Sequence, residues 1–410
     1  MGEQIETVII GAGQAGLATS YYLSQLGREH MILERTNGAA SVWQNERWDS
    51  FTLVTPNWSF RLPGAEYQGH EPDGFLARDE LVNTFEGYLE RFRFPIRYNV
   101  EVTSIHHRPH GIGYLLQSEQ GSLEARNVVI ATGLYQRPKV PSFTVDIPIK
   151  IFQLHSSQYR NPEALPEGAV LVVGSAQSGC QIAEELYKHG HKVYLCVGGA
   201  GRVPRKYRGK DIYEWMHRFG YLDRKVEMLR SPEERFAPLQ HVSGANGGHT
   251  LNLHQFARDG VSLLGRLVGG GGNYLRLAGD LKKNLAQADK IETDLIKLID
   301  ERIVLERIDV PRERLPVLRD GFNCEETLDL DLRASGIKTI IWANGYSFDY
   351  RLVRFPVTDR FGFPIQKRGV TTYPGLFFVG MPWLYKQKSG TFLGVGEDAE
   401  YIAGVIASIR

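Results

Sequence analysis

Cysteine is scarce in this sequence: Cys180, Cys196 and Cys324 are the only three among 410 residues. An odd, widely separated set excludes a disulfide framework and points to a reducing compartment, so a cytoplasmic location is expected. No Cys-x-x-Cys occurs, which removes the redox dithiol carried by that motif. Net charge is scarce as well, at +1 from 48 basic and 47 acidic residues. Such a balance gives no general pull toward nucleic acid or an anionic membrane surface. No run approaches the ~18 apolar residues that cross a bilayer. Gly11 comes so early that no room for a signal peptide is expected before it. The twelve histidines include His106, His107 and His110, but no helix with paired histidines accompanies them, and no metal site is expected. What remains is an ordinary globular composition, 42% hydrophobic and 23% charged, long enough for two domains.

Glycine, by contrast, is placed with purpose. Val8-Ile9-Ile10-Gly11-Ala12-Gly13-Gln14-Ala15-Gly16 is a Gly-x-Gly-x-x-Gly fingerprint, and Val170-Leu171-Val172-Val173-Gly174-Ser175-Ala176-Gln177-Ser178-Gly179 repeats it 163 residues later. Each follows an apolar β-branched run and precedes an amphipathic stretch, so each reads as strand, tight turn, helix. That geometry aims backbone amides and a helix N-terminus at a pyrophosphate. Gly11, Gly13, Gln14, Ala15 and Gly16 are therefore expected to bind one dinucleotide, and Gly174, Ser175, Gln177, Ser178 and Gly179 a second. Position 176 is alanine where the fingerprint has its middle glycine, and its methyl crowds the approach. Two redox dinucleotides imply an electron-transfer enzyme.

The spacing predicts strands at Thr7–Ile10, His30–Leu33, Ile96–Ile105, Gly113–Ser118 and Ser122–Ile130, with helices at Ala15–Leu26 and Arg78–Arg93. The pattern restarts at Ala169 and predicts helices at Gln181–His189 and Lys290–Ile303, strands at Ile337–Trp342 and Leu376–Val379, and a closing helix near Asp398–Ile409. The expected fold is α/β, two Rossmann-like dinucleotide-binding domains with the second inserted into the first. The first would take residues 1–145 and 325–410, the second residues 146–324 with a helical insertion. The glycine run Gly269–Gly272 has no strand-to-helix context and is expected to be a surface loop.

Glu34 stands 23 residues after Gly11 at the end of the second predicted strand. A carboxylate there accepts hydrogen bonds from a ribose 2′-OH and repels a 2′-phosphate, so the first site suits FAD or NAD. The same offset from Gly174 lands on Val197, and the basic residues Arg202, Arg205, Lys206, Arg208 and Lys210 follow. Guanidinium groups grip phosphate through bidentate charge-assisted bonds, so the second site is expected to take NADP(H), with Arg202 and Arg205 nearest the strand end. This basic run lacks interleaved aromatics apart from Tyr207, and no nucleic-acid partner is expected.

These residues resemble the class B flavoprotein monooxygenases, a group that includes flavin-containing monooxygenases and the plant YUCCA enzymes. Ile130-Ala131-Thr132-Gly133 and Ile341-Trp342-Ala343-Asn344-Gly345-Tyr346 are similar to that family's two Ala-Thr-Gly segments, and Gly375–Gly380 to the strand that returns to the flavin. His155-Ser156-Ser157-Gln158-Tyr159 matches the second half of the family's identifying motif; Ile149 and Ile151 replace the Phe and Gly of its first half. Tyr159 in place of tryptophan favours heteroatom oxygenation over Baeyer–Villiger chemistry. His155 and Tyr159 are implied as a domain-junction pair. Trp43, Arg47, Trp48, Asp49 and Thr55-Pro56-Asn57-Trp58 are similar to the segment lining the flavin ring. Asn57 falls at the family's active-site asparagine, and Trp43 offers an apolar wall. The resemblance adds Arg35, Glu34, Val102, Ala131, Thr132, Gly133 and Leu393 to the FAD-binding set, the last beside a helix whose amides would face the pyrimidine edge.

The activity so implied is NADPH-dependent insertion of one oxygen atom of O2 into a small organic substrate, through a flavin C4a-hydroperoxide. N- or S-oxygenation leads, with Baeyer–Villiger oxygenation or electron delivery to a partner protein as alternatives. No membrane association is expected, the substrate is not named, and a homodimer stays open.

Overall fold

The computed structural model describes residues 3–108, 112–237 and 240–409; His110 lies outside the described residues. The chain opens with strand β1 (Glu3–Ile10), helix α1 (Gln14–Gln25), strand β2 (His30–Leu33) and the short helix α2 (Ser41–Asn45). Helix α3 (Arg78–Phe92), strand β3 (Ile96–Arg97) and the meander β4 (Val102–His107), β5 (Tyr114–Ser118), β6 (Gly121–Ile130) follow. A second unit begins with β7 (Phe152–His155), β8 (Ala169–Val173), α4 (Gln177–Lys188) and β9 (Val193–Cys196). It continues through α5 (Ile212–Arg218), α6 (Leu253–Arg258), β10 (Ser262–Leu264), β11 (Leu267–Gly271), β12 (Tyr274–Leu277), α7 (Leu281–Leu305), β13 (Asp329–Asp331) and β14 (Ile337–Trp342). The chain then returns to the first unit with β15 (Leu376–Phe378) and α8 (Val395–Ser408).

The two units repeat a core of four parallel strands, flanked by an edge strand that comes last in the first unit and first in the second. In the first sheet the order is β15-β6-β1-β2-β3, all parallel, with β5 added antiparallel to β6. In the second it is β7-β14-β8-β9-β10, again parallel throughout. The central strands β1 and β8 are apolar on both faces because helices cover one face of each sheet and an antiparallel β layer with its loops covers the other. Successive side chains of β1 part company: Ile9 packs with Leu17 and Ile402 of the helical layer, while Val8 and Ile10 pack with Tyr114 and Phe378 on the other side. Val172 and Val173 divide in the same way in β8. Each such fully buried side chain contributes ~1.5–3 kcal/mol over its exposed state.

Four sequence expectations change. Ile337–Trp342 pairs with β7 and β8, so the second unit keeps the chain about 20 residues beyond the expected boundary at 325. The long strand expected over Ile96–Ile105 is broken at Asn99, which adopts a left-handed conformation with φ 58°. Gly269, Gly270 and Gly271 form most of β11, hydrogen-bonded to β12, rather than a loop; without side chains they still provide backbone donors and acceptors for the ladder. Finally, helix α7 runs 25 residues, starting nine residues before the predicted Lys290. Among the described residues no helix is long and apolar enough to cross a membrane.

Candidate functional site

The two glycine turns are near-copies in three dimensions. Gly11 has φ 104° and Gly174 φ 111°, a region that favours glycine. A Cβ on Gly11 would lie 2.8 Å from the carbonyl oxygen of Ala131, and one on Gly174 would lie 2.6 Å from that of Ala343. A Cβ on Gly16 would strike the Gly11 carbonyl oxygen at 1.9 Å, and one on Gly179 that of Gly174 at 1.8 Å. Each turn is thus wedged between its own helix and an Ala-x-Gly return segment, Ala131-Thr132-Gly133 in one unit and Ala343-Asn344-Gly345 in the other. Gly13 has no atom within 4 Å of its would-be Cβ. That open face, at the N-cap of α1, fits a pyrophosphate. Ala176 caps α4 with φ −79° and ψ −168°, nearly the −80° and −175° of Gly13. Its methyl is therefore unstrained and stands on the corresponding face.

The fingerprint glutamines each pin a distant loop across a helix start. Gln14 donates to the Gly390 carbonyl at 2.9 Å, and Gln177 both donates to and accepts from the backbone of Val242. Ala15 and Gly16 are buried at the start of α1; Ser178 is half-buried and Gly179 buried at the start of α4. Ser175 is buried, and its hydroxyl accepts from Gly198 N–H at 3.0 Å.

Glu34 closes the first cradle. One carboxylate oxygen accepts the Ala12 N–H at 2.8 Å, the other the Thr36 N–H and hydroxyl at 3.0 and 2.8 Å. A carboxylate has about four acceptor positions, so one stays open to a ribose hydroxyl. Arg35 is exposed, and Val102 is buried in a cluster with Leu33 and Val100 below this strand end. Thr132 and Gly133 are half-buried. Leu393 is half-buried beside Gly394, the N-cap of α8.

At the second strand end the basic residues are not free. Arg202, 5% exposed, pairs with Asp289 at 2.8 Å and Glu292 at 2.6 Å, both on α7. Arg205, 2% exposed, pairs with Asp211 at 2.5 Å, donates to the Val54 carbonyl, and lies over the Phe75 ring. The expectation that these two guanidiniums stand open beside a 2′-phosphate is corrected in geometry: α7 and α5 bring carboxylates to both.

Between the cradles the chain gathers an aromatic junction. Ala40 N–H donates to the Ala12 carbonyl at 3.0 Å, which sets α2 against the first turn. Trp43 on α2 lies 5.6 Å from Phe392 and 6.0 Å from Phe51. Arg47 stacks between Trp43 and Tyr135. Tyr346 meets Tyr135 edge-on at 5.0 Å and His155 at 4.9 Å. His155 sits at the end of β7, hydrogen-bonded to the Ser157 hydroxyl at 3.0 Å and the Gly345 carbonyl at 3.2 Å. Burial holds its imidazole below the ordinary histidine range, and burial holds the Tyr346 phenol above its own. Tyr159 is fully buried and donates to Glu185 at 2.8 Å. Asn57, 5% exposed, donates to the Glu71 carbonyl at 3.0 Å and leaves its own carbonyl oxygen without a partner among the described residues. The segment that follows it lines a cavity of about 460 Å3, with Trp58, Phe60 and Tyr67 in the wall and Asn57 outside it.

Tyr135 and Phe392 were not singled out from sequence. Tyr135 follows Gly133 by two residues and Tyr346 follows Gly345 by one. An aromatic just past each Ala-x-Gly segment is the signal that could have found the junction.

A family model described as pyridine nucleotide-disulphide oxidoreductase matches residues 8–216. An uncharacterized CzcO-like oxidoreductase of Geobacillus kaustophilus is 33% identical over 401 residues, 97% of each chain. The probable indole-3-pyruvate monooxygenase YUCCA1 of Arabidopsis thaliana is 31% identical over 213 residues, half of each chain. A flavin-containing monooxygenase from Stenotrophomonas maltophilia superposes with TM-score 0.66 at 18% identity, covering 99% of both chains, which shows a shared fold. The chain belongs to the pyridine nucleotide-disulphide oxidoreductase family.

Proposed function

We propose that this enzyme is an NADPH-dependent monooxygenase that uses FAD to transfer one oxygen atom of O2 to a small organic substrate. The observation that carries the reading is the paired cradle: two matched glycine turns, backed by Ala131 and by Ala343, joined by one aromatic junction. FAD, when bound, supplies electron storage and oxygen activation, and NADPH supplies the hydride. The chain's own part is placement. The Glu34 carboxylate selects an adenosine ribose with a free 2′-OH in the first cradle. The second turn orients the donor, and the Trp43, Tyr135 and Tyr346 rings gather between the two cradles.

Asn57 is the polar group assigned to the reacting oxygen. Its side-chain amide has a second N–H beyond the one given to Glu71, and its acceptor oxygen is unspent. Asn57→Leu is expected to raise hydrogen peroxide released per NADPH oxidised by about tenfold, the loss of one well-placed hydrogen bond. Peroxide assay against NADPH consumption checks it, and unchanged coupling removes the role.

A disulfide reductase reading fails on the thiols. Burial pushes the Cys180 thiol far up and that of Cys196 up to about 12, both fully buried, and it also raises the half-buried Cys324. None of the three offers a thiolate near neutral pH. The decisive test is oxygen uptake by the FAD-loaded enzyme with NADPH and a panel of amines, thioethers, ketones and acids. One O2 consumed and one labelled oxygen found in product per NADPH supports the reading. NADPH oxidation that yields only peroxide with every compound rejects it.

A further inference from the structure

Helix α4 begins at the second glycine turn, and Glu185 stands about 12 Å along its axis from Gln177. One Glu185 carboxylate oxygen accepts the Tyr159 hydroxyl at 2.8 Å, and the other accepts the Ser50 hydroxyl at 2.6 Å. Tyr159 is fully buried, and burial holds its phenol above the ordinary range, so the hydroxyl stays protonated as a donor. Among the described residues the bond to Ser50 is the only side-chain hydrogen bond from α4 to the first unit. The others from that helix end on Ser175, Val242, His249 and Asp259, all within the second unit.

The residues next to Tyr159 are fastened to the first unit as well. The Asp49 N–H donates to the Arg160 carbonyl at 2.8 Å, the Asn161 side chain donates to the Asp49 carboxylate at 2.7 Å, and the Arg160 guanidinium donates to the Asn45 carbonyl. Trp48, in the same stretch, leaves its own unit and packs in the apolar cluster that holds Val172 and Leu186 of α4. Residues 45–50 follow directly on Trp43, which stands against Phe392 beside the first turn. The stretch is therefore the link from one cradle to the other. Apolar packing has no direction and lets a helix slide, whereas two hydrogen bonds to one carboxylate fix its place along the axis.

We propose that Glu185 is a positioning residue: by holding Tyr159 and Ser50 together it sets α4, and with it the second glycine turn, at the separation from the first cradle that hydride transfer requires. This rests on the reading of the two turns as FAD and NADPH sites. Reacting atoms must come within about 3–3.5 Å, and a displacement near 1 Å costs on the order of 100-fold in rate.

The test is anaerobic reduction of the FAD-loaded protein by NADPH, resolved into a dissociation constant and a limiting rate. Flavin content, reduction by dithionite and amide hydrogen exchange over residues 43–51 are measured on the same samples. Glu185→Ala is expected to lower the limiting rate about 10- to 100-fold, with the dissociation constant within about threefold of the parent. It should also speed exchange of the Asp49 amide, while flavin content and dithionite reduction stay as in the parent. Glu185→Gln keeps an acceptor oxygen for Tyr159 and should recover most of the rate. Ser50→Ala and Tyr159→Phe should each slow the parent but add nothing in the Glu185→Ala background. An unchanged limiting rate in Glu185→Ala overturns the proposal, and so do Ser50→Ala and Tyr159→Phe effects that add in full. Loss of flavin in step with loss of rate assigns Glu185 to general stability and overturns it too. Should Glu185→Ala fail to fold, Ser50→Ala decides, and a parent-like limiting rate with parent-like Asp49 exchange overturns the proposal. Reduction that depends on Glu185 in a protein that fails the oxygen-transfer test would sink the monooxygenase reading alone.

Discussion

Gly179→Ala is expected to give a yellow protein that NADPH no longer reduces. The added methyl carbon would sit 1.8 Å from the Gly174 carbonyl oxygen, about half a normal contact. Neither side yields cheaply. Gly174 is held from behind by Ala343, and Gly179 belongs to the first turn of α4, which is buried against the sheet. Relief requires α4 to slide away from β8, which turns its amides off the donor's pyrophosphate. A displacement near 1 Å at such a site costs on the order of 100-fold in rate. The first sheet is built from other strands, so flavin should remain. Gly16→Ala meets the matching clash, 1.9 Å from the Gly11 oxygen, and should yield colourless protein instead. Gly13→Ala is the control: its Cβ meets nothing within 4 Å and its φ of −80° suits alanine, so the fold should be kept. Flavin absorbance of the purified variants and anaerobic reduction by NADPH, with dithionite as the reference reductant, separate the cases. Normal reduction of Gly179→Ala by NADPH would show that the second turn does not position the donor.

The contrast explains what was readable in the chain and what was not. Both turns and the Glu34 strand end were legible because their logic is local: glycines, β-branched runs and one acid at a fixed offset decide them within about 25 residues. The nested architecture was legible too, since the pattern simply restarts. Its second boundary was not. Ile337–Trp342 is an apolar run that suits either parallel sheet, and only pairing with residues 152–155 and 169–173 assigns it. The glycines of β11 were misread because glycine is a poor strand former by propensity, and tertiary pairing with Tyr274–Leu277 overrides it. The junction was half-visible: Trp43, Arg47 and Asn57 could be picked out from their segment, whereas Tyr135 and Phe392 join them only in the fold.

Arg202 is the sharpest case, and replacing it by alanine should act on stability first. The sequence places a guanidinium six residues beyond Cys196, the end of β9; the fold then brings in Asp289 and Glu292 from α7, 87 and 90 residues away. Removing one member of a buried ion cluster leaves the others desolvated and unpaired, at a cost of about 3 kcal/mol. Asp289 would still reach His254 at 3.3 Å and Arg319 at 3.5 Å, whereas Glu292 would be left with no ion-pair partner among the described residues. For a unit of this size the melting temperature should fall by roughly 6–12 °C. Adding Glu292→Gln to Arg202→Ala should recover part of the loss, because it removes the stranded charge. Calorimetry of the single and double variants checks both expectations. The Michaelis constants for NADPH and NADH, measured on the same proteins below the transition, decide the competing role. A selective rise for NADPH with an unchanged melting temperature would mean that Arg202 leaves α7 to meet the 2′-phosphate, and that the ion cluster is only the resting arrangement of a binding residue.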